Sequence, residues 1–307
     1  MKIAVVGIGG IGGYYGGMLA RYYGDQGDTE VVFMARGDHL KEIQSKGLRL
    51  VTAQEAFTVM PHTATDNPKE FGLFDLVLFC VKAYDLDESA ALLKDNVSDH
   101  TVVITLLNGV DNAARLKAVF PEAQVLNGCV YLSAFIVEPG MVRQAGGSCK
   151  LFFGKENGEH NDYLNIENIL KQAGIDATYS NDITTIVWEK YLFISPLASA
   201  TSYHGKTLGE LLKNSESKKL LAGLMREVEL VARHQDVPLP KDICNMSLER
   251  VSSFPEDTKT SLQLDFERGK KTELDTFTGY ILKYAETHGI STPLHKKVYD
   301  SLKLQAS

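Results

Sequence analysis

Near its start the chain passes from an apolar run straight into a glycine-rich loop, and this junction restricts its fold more than any other feature. Lys2–Val6 is followed at once by Gly7-Ile8-Gly9-Gly10-Ile11-Gly12. A short apolar run ending in glycine predicts a buried parallel strand. The loop fits G-x-G-x-x-G, and a helix is predicted over 12–23. Gly7 would permit the tight turn, Gly9 would let the backbone approach a pyrophosphate, and Gly12 would let helix and strand pack closely. A helix N-terminus also offers unpaired N–H groups and a partial positive charge to that anion. Alone the motif is weak evidence; between a strand and a helix it predicts a dinucleotide site.

The second predicted strand, 30–35, ends in Arg36-Gly37. A site selective for NAD carries an acidic side chain here, which accepts a hydrogen bond from the ribose 2′-hydroxyl. Arginine has no acceptor, but its guanidinium pairs bidentately with phosphate. Arg36 therefore points to NADP(H), unless it is an ordinary surface arginine after a strand.

The 307 residues are long for one core and suit two domains. Further strands are expected at 75–80, 102–107 and 125–129, and helices at 39–45, 85–93 and 112–119. Short extended pieces are expected at 47–51 and 57–61, and others between 131 and 154, where Pro139-Gly140 and Gly146-Gly147 mark turns. A helix at 162–172 and a strand at 177–180 follow. This alternation predicts an α/β Rossmann domain with a doubly wound parallel sheet over residues 1–181. From Asp182, a candidate N-cap, the pattern becomes helical and predicts an all-α domain over 182–307. Besides the helix that carries Trp188, Glu189 and Lys190, helices are expected at 215–235, 242–251, 257–268 and 272–287. The last opens with Thr272-Glu273-Leu274-Asp275, a capping-box variant.

A net charge of −7 argues against nucleic acid or an anionic membrane as the main partner, while leaving room for a local basic pocket. No apolar stretch approaches the roughly 20 residues that a membrane helix needs. Cys80, Cys129, Cys149 and Cys244 form no CxxC pair and have no histidine at metal-ligand spacing. Reduced thiols in a cytoplasmic protein without a metal are expected. A homodimer is admissible, but nothing in the sequence requires it.

Reduction of a ketone leaves negative charge on oxygen, so such a site needs a proton donor. Of the histidines, His204 in Tyr203-His204-Gly205 reads more readily as a turn residue. Lys190 is the better candidate. It lies in Val187-Trp188-Glu189-Lys190-Tyr191-Leu192-Phe193, where an ammonium carries a cost unless it is paired or functional. Partial burial lowers a lysine pKa towards the range of a general acid. The helix pattern alone favours a snorkelling lysine.

Taken in order, these segments resemble the ketopantoate reductases (2-dehydropantoate 2-reductases). The resemblance covers essentially the whole chain. Gly7-Ile8-Gly9-Gly10-Ile11-Gly12-Gly13 is similar to the family's opening loop, and Arg36-Gly37 to its NADP-selecting turn. Val81-Lys82-Ala83, Leu107-Asn108-Gly109-Val110 and Trp188-Glu189-Lys190 resemble its next motifs. Ser261-Leu262-Gln263-Leu264-Asp265 and Lys271-Thr272-Glu273-Leu274-Asp275 resemble its C-terminal ones. The resemblance implies that Lys190 is the catalytic acid, with Glu273 beside it binding the substrate hydroxyl and reaching the cofactor. It further implies that Lys82 and Asn108 touch both cofactor and substrate, and that Ser261 touches the substrate. NADPH-dependent reduction of a small 2-keto acid is then expected, 2-dehydropantoate to pantoate in pantothenate biosynthesis, with the substrate entering between the domains.

One departure stands out. The family carries asparagines one and two helical turns after the catalytic lysine, where this chain has Ile194 and Ala198. Ser195, Ser199 or Ser202 is the nearby hydroxyl expected to replace those contacts. The alternatives are a reductase of the same family for another keto acid or ketone, a non-catalytic NADP(H) sensor, and an opine or hydroxyacid dehydrogenase with a different catalytic group.

Overall fold

The computed structural model describes residues 1–24, 26–156 and 163–305. The chain divides into two compact units, Met1–Ile183 and Thr184–Ser307. The first unit runs β1 (Lys2–Val6), α1 (Gly10–Tyr23), β2 (Glu30–Met34), α2 (Gly37–Lys46), β3 (Leu48–Val51), β4 (Ala56–Val59) and β5 (Thr63–Thr65). It continues through β6 (Leu76–Phe79), α3 (Leu86–Leu92), β7 (Val102–Thr105), α4 (Asn112–Val119), β8 (Gln124–Val130) and β9 (Ser133–Glu138). It ends with β10 (Met141–Gly146), β11 (Leu151–Gly154), α5 (Leu164–Gln172) and β12 (Ala177–Tyr179).

The larger sheet has the order β12-β11-β8-β7-β6-β1-β2-β5. From β5 to β8 every pairing is parallel, whereas β11 runs antiparallel to β8. The sheet is thus doubly wound and largely, not wholly, parallel. Its central strands read as continuous apolar runs because both faces are covered. Ile3, Val5, Val31, Phe33, Leu76 and Leu78 enter one buried cluster. Their chain neighbours Ala4, Val6, Val32, Met34, Val77 and Phe79 enter the other. The alternation is the two-residue period of a strand dividing its side chains between two cores.

A second sheet, β4-β3-β10-β9, was only partly foreseen as extended pieces. It pairs β3 with β10 in parallel, Arg49 opposite Met141. The strand β5 was not expected. The start expected at Asp162 lies outside the described residues; the helix there is seen from Leu164.

The second unit is helical: α6 (Ile183–His204), α7 (Leu208–Lys213), α8 (Ser215–His234), α9 (Ile243–Val251), α10 (Ser261–Glu267), α11 (Tyr280–Thr287) and α12 (Pro293–Gln305). Neither α7 nor α12 was expected. The helix placed at 257–268 begins only at Ser261, with Thr260 as its N-cap. The expected capping box at Thr272 does not form. Helical structure starts at Leu274 and passes through a π-helical stretch, Asp275–Gly279, into α11.

Glu227 of α8 serves the start of α12. Its carboxylate accepts from the Leu294 and His295 backbone N–H groups, each at 2.9 Å, and lies 2.7 Å from His295 Nδ1. His295 is fully buried, and its Nε2 has no hydrogen-bond partner among the described residues. Burial pushes the imidazole pKa below its usual value, against the opposing pull of Glu227. A depressed pKa means that the unfolded chain binds the proton more readily, so acid favours unfolding. The stabilisation from neutral His295 is complete above the unfolded value of about 6.5 and is lost as pH falls towards the folded value. At most this contributes about 1.4 kcal/mol per pH unit. Thermal unfolding between pH 7.5 and 5 should show a shallower acid decline for His295→Asn than for the parent. Equal slopes would remove His295 as the cause.

Candidate active site

The glycine loop joins β1 to α1 at the C-terminal edge of the sheet. Gly7 has φ +90°, a conformation open to glycine, and its N–H donates to the Met34 carbonyl at 2.9 Å. Gly9 is the N-cap of α1, so the helix opens with Gly10, Ile11 and Gly12 and not two residues later. A Cβ on Gly12 would overlap the Gly7 carbonyl oxygen and lie 2.9 Å from the Cys80 Cβ. A Cβ on Gly9 would meet nothing within 4 Å. The loop therefore has one crowded side against its own sheet and one open side beside unpaired helix N–H groups. That combination fits the pyrophosphate of a dinucleotide. Gly10 shows what the sequence did not reveal: a side chain there would overlap the Ala134 carbonyl oxygen of β9.

Three other candidates follow neighbouring strands of the same sheet. Arg36 comes after β2 and is the N-cap of α2. Lys82 comes after β6 and is the N-cap of a short 3-10 turn, Ala83–Asp85. Asn108 comes shortly after β7, and its carbonyl accepts from Asn112 Nδ2 at 2.9 Å. Because β7, β6, β1 and β2 are consecutive in the sheet, all four segments line one edge. Lys82 and Asn108 are half-buried and Arg36 is exposed. Two residues not singled out from the sequence hold this edge. Asp85 pairs with Arg36 at 2.8 Å. Arg115 of α4 donates to the Ala83 carbonyl at 3.0 Å and to Asp87 at 3.1 Å.

In the second unit Lys190 is half-buried on α6, and Glu273, 5% exposed, lies just ahead of the π-helical stretch. Hydroxyl groups fasten these two elements together. Tyr191 Oη donates to the Thr276 and Phe277 carbonyls, both at 2.8 Å. Ser195 Oγ donates to Phe277 O at 2.6 Å, and Ser199 Oγ lies 2.8 Å from Thr278 Oγ1. A π-helical turn disturbs the regular α-helical pairing of backbone groups, and here side-chain donors reach its carbonyls. Farther along α6, Thr201 Oγ1 meets Thr260 Oγ1 at 2.8 Å and so anchors the start of α10, where Ser261 is exposed. Thr201 is about three helical turns beyond Lys190. Ser261 thus belongs to the far end of α6, while Glu273 precedes a stretch fastened to the turns nearer Lys190.

Two of the three candidate serines on α6 are already committed within the fold. Ser195 and Ser199 are fully buried and spend their hydroxyls on the π-helical stretch. Ser202 is buried too, but its Oγ has no partner among the described residues. Ala198 packs with Leu262 and Phe277, flanked by Ile194 and Phe266. The two positions expected to carry amides therefore belong to an apolar cluster. Next to Lys190, burial raises the Glu189 pKa, opposed by Arg250, whose guanidinium lies 5.0 Å from the centre of the Phe193 ring. His204 closes α6, and burial lowers its pKa.

Among the described residues no group of three or more His, Cys, Asp or Glu is placed to hold a metal ion, and no helix is long and apolar enough to cross a membrane. All four cysteines are free thiols.

Comparison with known proteins agrees over the whole chain. The family model described as ketopantoate reductase PanE/ApbA matches residues 3–158, and that of its C-terminal part matches residues 182–306. A 2-dehydropantoate 2-reductase of Halobacterium salinarum is 29% identical, covering 99% of this chain and 98% of its own length. The structure of a PanE/ApbA family ketopantoate reductase from Ralstonia eutropha superposes with a TM-score of 0.90 at 29% identity, covering 100% and 98% of the two chains. That of 2-dehydropantoate 2-reductase from Porphyromonas gingivalis gives 0.85 at 33% identity, covering 98% and 99%. With family models accounting for both its units, the chain belongs to the ketopantoate reductase PanE/ApbA family of oxidoreductases.

Proposed function

We propose that this chain is a cytoplasmic, NADPH-dependent reductase of a small 2-keto acid, with 2-dehydropantoate to pantoate as the leading reaction. The observation that carries the reading is Lys190, half-buried on a helix fastened by buried hydroxyls to the stretch that follows Glu273. A sensor without turnover has no need of that pair. When bound, the reduced nicotinamide supplies the hydride to the substrate's carbonyl carbon. The glycine loop holds the pyrophosphate through its backbone N–H groups, and Arg36 receives the 2′-phosphate. Lys82 and Asn108 position the nicotinamide end and the substrate. Lys190 Nζ gives its proton to the carbonyl oxygen, which leaves an alcohol and a neutral amine that water reprotonates. Glu273 accepts the substrate's distal hydroxyl and favours the charged form of Lys190 before transfer. Ser261 contacts the substrate.

A second reading, the same chemistry on another keto acid, is favoured by the apolar setting of Ile194 and Ala198. A hydrophobic wall tolerates added methylenes and separates them by only about 1–3 kcal/mol each. The test is NADPH oxidation with 2-dehydropantoate, the same acid lacking its hydroxyl, and a ketone lacking the carboxylate. The expected order of kcat/KM is the one given, the first step costing about 1–3 kcal/mol for an unpaired polar group. If the acid without the hydroxyl is preferred, the substrate passes to the second reading. If the ketone without the carboxylate is best, the keto-acid assignment fails.

A further inference from the structure

Arg36 is not alone where the adenosine end of the cofactor is expected. It follows β2, Asp85 closes the turn after β6, and β1 lies between these strands. Their side chains meet across the end of β1, Arg36 Nη2 donating to Asp85 Oδ2 at 2.8 Å. The sheet changes winding direction here, with β2 on one side of β1 and β6 on the other, which is where doubly wound sheets receive dinucleotides. Arg36 is 62% exposed and Asp85 22%, so the carboxylate is the seated partner and the guanidinium the adjustable one. Asp85 precedes α3 but makes no side-chain capping bond to it.

We propose that Asp85 sets the cofactor selectivity of this chain, an inference that rests on Arg36 receiving the 2′-phosphate. A 2′-phosphate brought to Arg36 meets a second anion on the same guanidinium. Like charges at that range repel, and a partly enclosed site screens them less than water does. NADH brings a 2′-hydroxyl to the same place, a donor that the Asp85 carboxylate accepts. Asp85 thus weakens NADPH and assists NADH, and the chain separates the two less than Arg36 alone would.

Asp85→Asn removes the charge and keeps an oxygen acceptor for Arg36, so a purely positioning role would leave selectivity unchanged. Calorimetric titration of the full chain should show NADPH binding about three- to tenfold tighter than in the parent, with NADH unchanged or weaker. Asp85→Ser provides a second uncharged variant should the first fold poorly. Arg36→Ala is titrated alongside and should lose about ten- to a hundredfold for NADPH and little for NADH. If Arg36→Ala weakens both cofactors equally, Arg36 does not read the 2′-phosphate and the proposal falls with that reading. If Arg36→Ala is selective but neither Asp85 variant raises the ratio of NADPH to NADH affinity, the role of Asp85 alone is overturned.

Discussion

Lys190→Ala should lower kcat by about 10²–10⁴-fold, the range typical for removal of a general acid, while NADPH still binds. The residue is suited to such a clean test. Lys190 is half-buried, so alanine leaves no large internal void. The neighbours that hold α6 in place, Trp188, Tyr191 and Ser195, remain. Trp188 and Tyr191 pack edge to face at 5.7 Å, and Tyr191 and Ser195 keep their bonds to the π-helical stretch. Turnover should fall without a matching fall in the unfolding temperature. Glu273→Gln should also slow the reaction, because a neutral amide favours the ammonium less. Near-normal turnover of Lys190→Ala on a substrate the parent accepts would end the lysine mechanism and favour a dehydrogenase with another acid.

The parts that could be read from the sequence share a physical origin. Residues 3–6 and 76–79 are buried on both faces, so each run is apolar and ends at a turn. The helix with Lys190 stands out because a charge interrupts an apolar run. The smaller sheet could not be read so directly, since β3 and β10 are joined by pairings between residues about ninety positions apart, Arg49 to Met141 among them. β9 has no buried face to betray it; Phe135, Ile136 and Val137 are all exposed. Two missed helices did carry signals. Thr207-Leu208-Gly209-Glu210 is a complete capping box at α7, and α12 opens with proline. Asp85 carried none, because its meaning depends on a partner from a distant loop. A serine hydroxyl beside a site looks alike in sequence whether it faces ligand or backbone. Only the fold shows that Ser195 and Ser199 turn to the stretch after Glu273.

Gly9→Ala and Gly12→Ala should fail in opposite ways, and their contrast tests the phosphate loop directly. At Gly12 the added methyl overlaps the Gly7 carbonyl oxygen and presses on Cys80, which is at the core boundary. Neither a backbone carbonyl nor a packed strand end yields readily, so overpacking should cost about 1–3 kcal/mol or more. Thermal unfolding should move down accordingly, with cofactor binding lost as a consequence of the displaced loop. At Gly9 the methyl meets no protein atom within 4 Å. The folded state is not strained, and alanine reduces the freedom of the unfolded chain, so stability should hold or rise by a few tenths of a kcal/mol. The same methyl stands where the pyrophosphate must approach the start of α1. Each charge-assisted hydrogen bond it forces apart is worth about 1.5–3 kcal/mol, so NADPH affinity should drop by at least ten- to a hundredfold. NADH should suffer equally, because both cofactors carry the pyrophosphate, and this separates the effect from that of Arg36 or Asp85. If Gly9→Ala binds NADPH as the parent does, the pyrophosphate does not lie against this loop and the cofactor site must be sought elsewhere on the sheet edge. If it unfolds at lower temperature instead, the space beside Gly9 serves the fold and not a ligand.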